Sequence, residues 1–112
     1  MTPRKFGRTR GKRISFLKTL AHNLIMKERM QTTDARAKEI RTRVEKLVTL
    51  AKKQDLASLR LLLSRLPKAA AMKLYYEIAP KYQGRTGGYL RITKISLRRK
   101  RDAAPQSVIE FV

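Results

Sequence analysis

The run Gly87-Gly88-Tyr89-Leu90-Arg91-Ile92-Thr93-Lys94-Ile95 constrains this chain more than any other stretch. A paired glycine frees the backbone, and aromatic and β-branched residues follow with positive charges set between them. That composition is a strand, expected over residues 89–97. Leu90 and Ile92 share one face, whereas Ile95 and Leu97 share the other. The change of phase predicts a bulge near residues 93–94, or burial on both sides toward the end of the strand. A strand needs a partner. Residues 107–112, Ser-Val-Ile-Glu-Phe-Val, supply one, and the pair reads as an antiparallel hairpin. Its long connection carries the cluster Arg98-Arg99-Lys100-Arg101 and the turn Asp102-Ala103-Ala104-Pro105.

Ahead of the hairpin the periodicity is helical. Ser15 suits an N-cap, and Leu17, Leu20, Ala21, Leu24 and Ile25 form one stripe behind it. The helix is expected to fray at residues 27–29, with residues 30–32 as a short edge strand. Thr32 or Thr33 then caps the longest helix, where Asp34 meets the positive end of the dipole. Ala37, Ile40, Val44, Leu47, Val48 and Ala51 fall on one side of it. Lys38, Glu39, Glu45 and Lys46 lie opposite and read as a solvated face of mixed sign. Glu39 and Arg43 form a favourable (i, i+4) pair there, contributing about 0.3 kcal/mol. Asp55 caps a third helix, whose Leu56, Leu59, Leu62, Leu63 and Leu66 read as core. Pro67 closes that helix and can open a fourth. In the fourth, Ala70, Ala71, Leu74, Tyr75 and Ile78 point inward and Pro80 ends the run. The expected fold is therefore α+β in two layers, about four helices packed on a small two- to three-stranded sheet. One sheet face is left open to water or to RNA.

A length of 112 residues permits one domain, residues 15–112. Residues 1–14 read differently. Arg4, Lys5, Arg8, Arg10, Lys12 and Arg13 make six of the first thirteen residues basic, with no acid among them. Such a segment buries too little apolar area to offset its ordering entropy, which predicts an extended basic arm that orders along phosphate.

Charge narrows the function. Twenty-eight Lys and Arg stand against eight Asp and Glu, a formal net charge of +20. A compact chain so charged repels itself and calls for a polyanion, nucleic acid above all, because displaced counterions add affinity. An anionic membrane surface would need a basic amphipathic helix with an exposed apolar face, and here the basic clusters fall in arm and loop. No segment reaches the length of a membrane span. With no cysteine there is no disulfide framework and no thiolate metal site. His22 is the only histidine, and the acids are scattered without the spacing of a metal site or an acid–base pair. Gly84-Arg85-Thr86-Gly87-Gly88 lacks the lysine-plus-hydroxyl ending of a nucleotide-cradling loop and leads into a strand. No catalytic residue, metal, cofactor or small-molecule substrate is expected.

Binding residues are better marked. Arg85, Gly87, Gly88, Tyr89 and Arg91 combine forked guanidinium donors, backbone open to close approach and a ring able to stack on a base. With Lys94, the arm residues and Arg98, Arg99, Lys100 and Arg101, they make up the expected nucleic-acid surface. Tyr82 reads as core with its hydroxyl at the surface. A protein that coats DNA duplex without reading its sequence is the alternative, and would be marked by a symmetric dimeric cradle.

Several blocks together resemble the bacterial-type large-subunit ribosomal protein family seventeen. They are Pro3-Arg4-Lys5-Phe6-Gly7-Arg8, Thr32-Thr33 with Ala35-Arg36-Ala37-Lys38-Glu39-Ile40-Arg41, and Val44 to Lys52. Ile78-Ala79-Pro80, Gly87-Gly88-Tyr89, Arg91-Ile92, Lys94 and the closing Ile109-Glu110-Phe111-Val112 follow in the same order. The resemblance implies a structural, rRNA-binding component of the large subunit near the nascent-peptide tunnel exit, with other large-subunit proteins as neighbours. It also implies a third strand at residues 30–32, and the lack of a targeting extension favours a bacterial cytoplasmic ribosome over an organellar one. Two places depart from the family pattern: the arm is shorter and more basic, and Arg101 replaces a glycine before Asp102.

Overall fold

The computed structural model describes residues 10–98 and 104–112. Four helices pack on one face of a three-stranded antiparallel sheet, an α+β fold of two layers. The elements run α1 (Arg10–Lys27), β1 (Arg29–Thr33), α2 (Asp34–Ala51), α3 (Leu56–Arg65), α4 (Lys68–Lys73), β2 (Leu90–Arg98) and β3 (Pro105–Phe111).

Helix α1 begins at Arg10 rather than behind Ser15, so residues 10–14 are helical where an extended arm was expected. Adding a residue to a nucleated helix fixes few torsions and gains a hydrogen bond each time. Arg and Lys are also good helix formers, so the stripe from Leu17 to Ile25 propagates backward through them. Ser15 is thus interior to the helix, and its carbonyl accepts the Thr19 hydroxyl at 3.0 Å. The remainder of the arm, residues 1–9, lies outside the described residues. At its other end α1 stops at Glu28, which takes φ 62°, the left-handed conformation usual after a helix C-terminus.

The chain then enters β1, the expected edge strand. Thr33 caps α2 with its hydroxyl oxygen, which accepts the Arg36 amide. All six stripe residues of α2 are buried. On its polar side the (i, i+4) pairs among the described residues are Asp34–Lys38 and Arg41–Glu45, not Glu39–Arg43. Asp55 caps α3 by accepting the Ser58 amide at 2.7 Å. Here the leucine reading needs correction: Leu62 and Leu66 are buried, but Leu56 and Leu63 are exposed, Leu56 by 60%. Leucines occur on every side of α3, so periodicity could not choose a face. The small Ser58, 2% exposed, lies inward and lets the helix approach α2 and α4.

Pro67 occupies the N-cap of α4, its carbonyl accepting the Ala71 amide. The helix does not run on unchanged to Pro80. From Leu74–Ile78 it widens into a π turn, then tightens into a 3-10 turn over Ala79–Tyr82 that contains Pro80. The proline explains the change. Pro80 has no N–H, and its ring would strike the carbonyl four residues back in an α-helix. In the wider ladder the Ala79 amide bonds the Leu74 carbonyl, and the next carbonyl, Tyr75, would look to Pro80 for a donor. Gln54 provides it from the α2–α3 connection, its side-chain amide reaching the Tyr75 carbonyl at 2.9 Å.

In the sheet β3 is central, flanked by β1 and β2. The expected hairpin forms, in the register Leu90↔Phe111, Ile92↔Ile109, Lys94↔Ser107. The ladder is regular past residues 93–94, and the irregularity falls between Ile95 and Arg98 instead. Ile95 turns outward by plain alternation and is half-buried, so its phase did not require the bulge placed before it. Leu90, Ile109, Ile92, Phe111 and Met30 face the helices and join the core. Val108 belongs to the other face, buried but outside that core.

Candidate nucleic-acid interface

The turns after α4 deliver the chain to residues 83–88, an exposed loop just before β2. Tyr82 closes the approach. Its ring is buried, 5.3 Å from the Tyr89 ring centre, and its hydroxyl donates to the Val112 carbonyl at 2.8 Å. Burial raises its pKa above the ordinary phenol range.

Tyr89 requires the main correction among the expected site residues. Its side chain is 1% exposed and cannot stack on a base. The phenol points into the protein, where Lys52 Nζ donates to it at 2.9 Å and stands 5.0 Å from the ring centre. That ammonium stabilises the phenolate and holds the Tyr89 pKa below its ordinary value. The Tyr89 amide donates to Glu45 Oε2 at 3.1 Å. Lys52 also donates to the Arg85 carbonyl, and the Tyr89 hydroxyl lies 3.3 Å from the same oxygen. Glu45, assigned above to a solvated face, is therefore part of the loop's support.

The two glycines differ. Gly88 has φ 65°, where a side chain is strained, while a Cβ on Gly87 would meet nothing within 4 Å. Arg85 folds over them: its Nε donates to the Gly87 carbonyl at 3.2 Å.

Arg91 lies on the open sheet face, in a row that crosses all three strands as Arg29, Glu110 and Arg91. Its Nη2 meets Glu110 Oε1 at 2.8 Å, and Arg29 Nε approaches the other oxygen at 3.9 Å. Both arginines remain largely exposed. Lys94 pairs with Ser107 across the ladder and belongs to the opposite face, at the start of α2, where Asp34 accepts the Ser107 hydroxyl. Arg91 and Lys94 therefore do not form one patch.

Lys12 is exposed near the start of α1, a helix with no acid in its first turn. Cations there oppose the helix dipole, and an anion at that end would relieve both. For Arg10, Arg13 and Arg98 the backbone alone is described. Arg4, Lys5, Arg8, Arg99, Lys100 and Arg101 lie outside the described residues. Among the described residues no cluster of His, Asp or Glu could hold a metal ion, and no helix is long and apolar enough to cross a membrane.

Glu45, Lys52 and Arg29 were not anticipated as site residues. Glu45 and Lys52 lie 44 and 37 positions from Tyr89, so no local spacing marks them. Arg29 could be found only from the register that pairs it with Glu110.

The chain is similar to known proteins along nearly its whole length. Two relatives are called large ribosomal subunit protein bL17. That of Desulfitobacterium hafniense (strain DSM 10664 / DCB-2) is 49% identical over the whole of both chains. That of Hydrogenobaculum sp. (strain Y04AAS1) is 46% identical, covering 96% of this chain and 92% of the relative. Residues 16–112 also match the profile of the family described as Ribosomal protein L17, and the chain belongs to that family.

Proposed function

We propose that this chain is a structural component of the large ribosomal subunit that holds rRNA in place and catalyses nothing. The observation that carries the reading is its charge imbalance on this family's fold. Twenty-eight cations face eight acids, and among the described residues Glu28, Asp34, Glu45 and Glu110 are already engaged by lysines or arginines. The excess requires phosphate from outside the chain.

The contacts fall in three groups. Arg4, Lys5, Arg8, Arg10, Lys12 and Arg13 bind along an rRNA backbone from the arm and the first turns of α1. Arg85, Gly87 and Gly88 form a second contact, with Tyr89 acting behind them. The third group gathers cations that bind apart from one another: Arg91 from the open sheet face, Lys94 from the opposite face, and the cluster Arg98, Arg99, Lys100 and Arg101. The neighbours are large-subunit rRNA and other large-subunit proteins, near the exit of the nascent-peptide tunnel, in a bacterial cytoplasm. The last two points rest on the family.

Gradient sedimentation of a native-host lysate, with the protein followed by mass spectrometry, tests this. Retention on the large subunit through a high-salt wash is the expected outcome. Release at moderate salt together with migration alongside chromosomal DNA would sink the reading in favour of a DNA-coating protein.

A further inference from the structure

We propose that loop 83–88 is a preformed phosphate seat, and that Glu45, Lys52 and Tyr89 are the positioning residues that hold its shape from behind. The inference rests on the rRNA-binding reading above and names what fixes the geometry of one of its contacts.

The loop is pinned at three points. Gln83 donates its side-chain amide to the Lys52 carbonyl at 3.0 Å. The Arg85 carbonyl is taken by Lys52 and the Tyr89 hydroxyl. The Tyr89 amide is fixed on Glu45. These partners come from α2, from its C-cap Lys52 and from a tyrosine wedged beside Tyr82, so a rigid helix end and a buried ring set the loop's position. The front of the loop is the reverse. Thr86, Gly87 and Gly88 are exposed, and among the described residues none accepts a hydrogen bond from their amides. Arg85 is held by its Nε on the Gly87 carbonyl, with Nη2 3.9 Å from where a Gly88 Cβ would stand. Unbonded amides in a turn containing a left-handed residue, beside a guanidinium fork, match the oxygens of a phosphodiester. The occupant is an RNA phosphate, not a protein carboxylate, because the seat lies on a chain of net charge +20.

Pre-ordering is what the interior groups contribute. A loop ordered before binding loses less entropy on binding than one that must fold onto its ligand. Removing the Tyr89 hydroxyl alone should therefore weaken binding without disturbing the ring packing.

The test measures retention of purified bacterial large-subunit rRNA by the full chain across a salt series. The variants are Arg85→Ala, Tyr89→Phe, Lys52→Met and the double variant Arg85→Ala/Tyr89→Phe, with helical content and melting checked for each. Tyr89→Phe and Lys52→Met should each bind about three- to tenfold more weakly. The slope of log affinity against log salt should become shallower by about 0.7 to 0.9, the signature of one lost phosphate contact. In the Arg85→Ala background Tyr89→Phe should cost less, because only the loop amides then remain to be positioned. Wild-type affinity for both interior variants would overturn the proposal, as would equal losses from Tyr89→Phe in both backgrounds. An Arg85→Ala chain that binds like wild type removes the seat while leaving the rRNA reading standing. Wild-type protein that does not retain rRNA defeats that reading itself. Competition by polyglutamate as effective as by RNA would reassign the seat to an acidic peptide.

Discussion

Gly87 and Gly88 are neighbours of the same type, and the backbone separates them. Only Gly88 has positive φ, so Gly88→Ala should lower stability by about 1–2 kcal/mol, the cost of a left-handed residue with a Cβ. Gly87→Ala faces open space and should stay within about 0.5 kcal/mol of wild type. Urea unfolding of the two variants distinguishes them, and equal losses would refute the conformational argument. Asp34 is a second residue whose environment makes a measurable difference. A hydrogen bond from Lys38, then one from Ser107, holds its carboxyl below the ordinary aspartate range. A depressed folded pKa means the unfolded chain takes up protons first as pH falls. The stability Asp34 adds is thus complete above the ordinary aspartate pKa and is lost as pH drops through the lower folded value. Asp34→Asn should be less stable than wild type at neutral pH, with the gap narrowing in that acid window. A gap that stays constant to low pH would show that the ionised carboxylate is not what matters.

The irregular end of α4 is where local and long-range constraints meet. Because Pro80 offers no donor, the Tyr75 carbonyl relies on the Gln54 amide. Gln54→Ala should cost about 1 kcal/mol in unfolding free energy. In a Pro80→Ala background the same change should cost less, since residue 80 then carries an N–H that the π ladder can use. Additive losses in that double-mutant cycle would disprove the link. This junction also shows why some elements were legible in the sequence and others were not. The stripe of α2 from Ala37 to Ala51 and the caps Thr33 and Asp55 are local patterns, and the structure forms them as read. The hairpin was legible for the same reason, as two apolar runs around a basic turn. The π turn depends on a glutamine 21 residues before Tyr75, and no periodicity carries that. At the site, the glycines and Arg85 stood out by type. The burial of Tyr89 did not, because it arises from Glu45 on α2 and Lys52 at its C-cap, folded back against the loop.

For the whole molecule, the same charge should act in opposite directions on folding and on binding. Ion pairs engage several of the acids locally, yet they leave most of the +20 excess to repel itself across the folded surface. Moderate salt shortens the screening distance to about 10 Å at 0.1 M and less above that, which weakens this repulsion. Exposed ion pairs such as Arg29–Glu110 lose under the same screening, but each contributes about 1 kcal/mol or less. Self-repulsion among many cations should outweigh them. The free protein should therefore melt at a higher temperature as sodium chloride is raised, by a few degrees, equivalent to about 1 kcal/mol. Its affinity for rRNA should fall steeply over the same range, because each neutralised phosphate makes binding salt-dependent. Sodium sulfate at matched ionic strength separates screening from anion binding, since a bound anion adds stability beyond what ionic strength alone provides. A melting temperature that falls with chloride would mean that the local ion pairs dominate the fold. The excess positive charge would then be tolerated without cost in the free protein, and an external polyanion would have no self-repulsion to relieve.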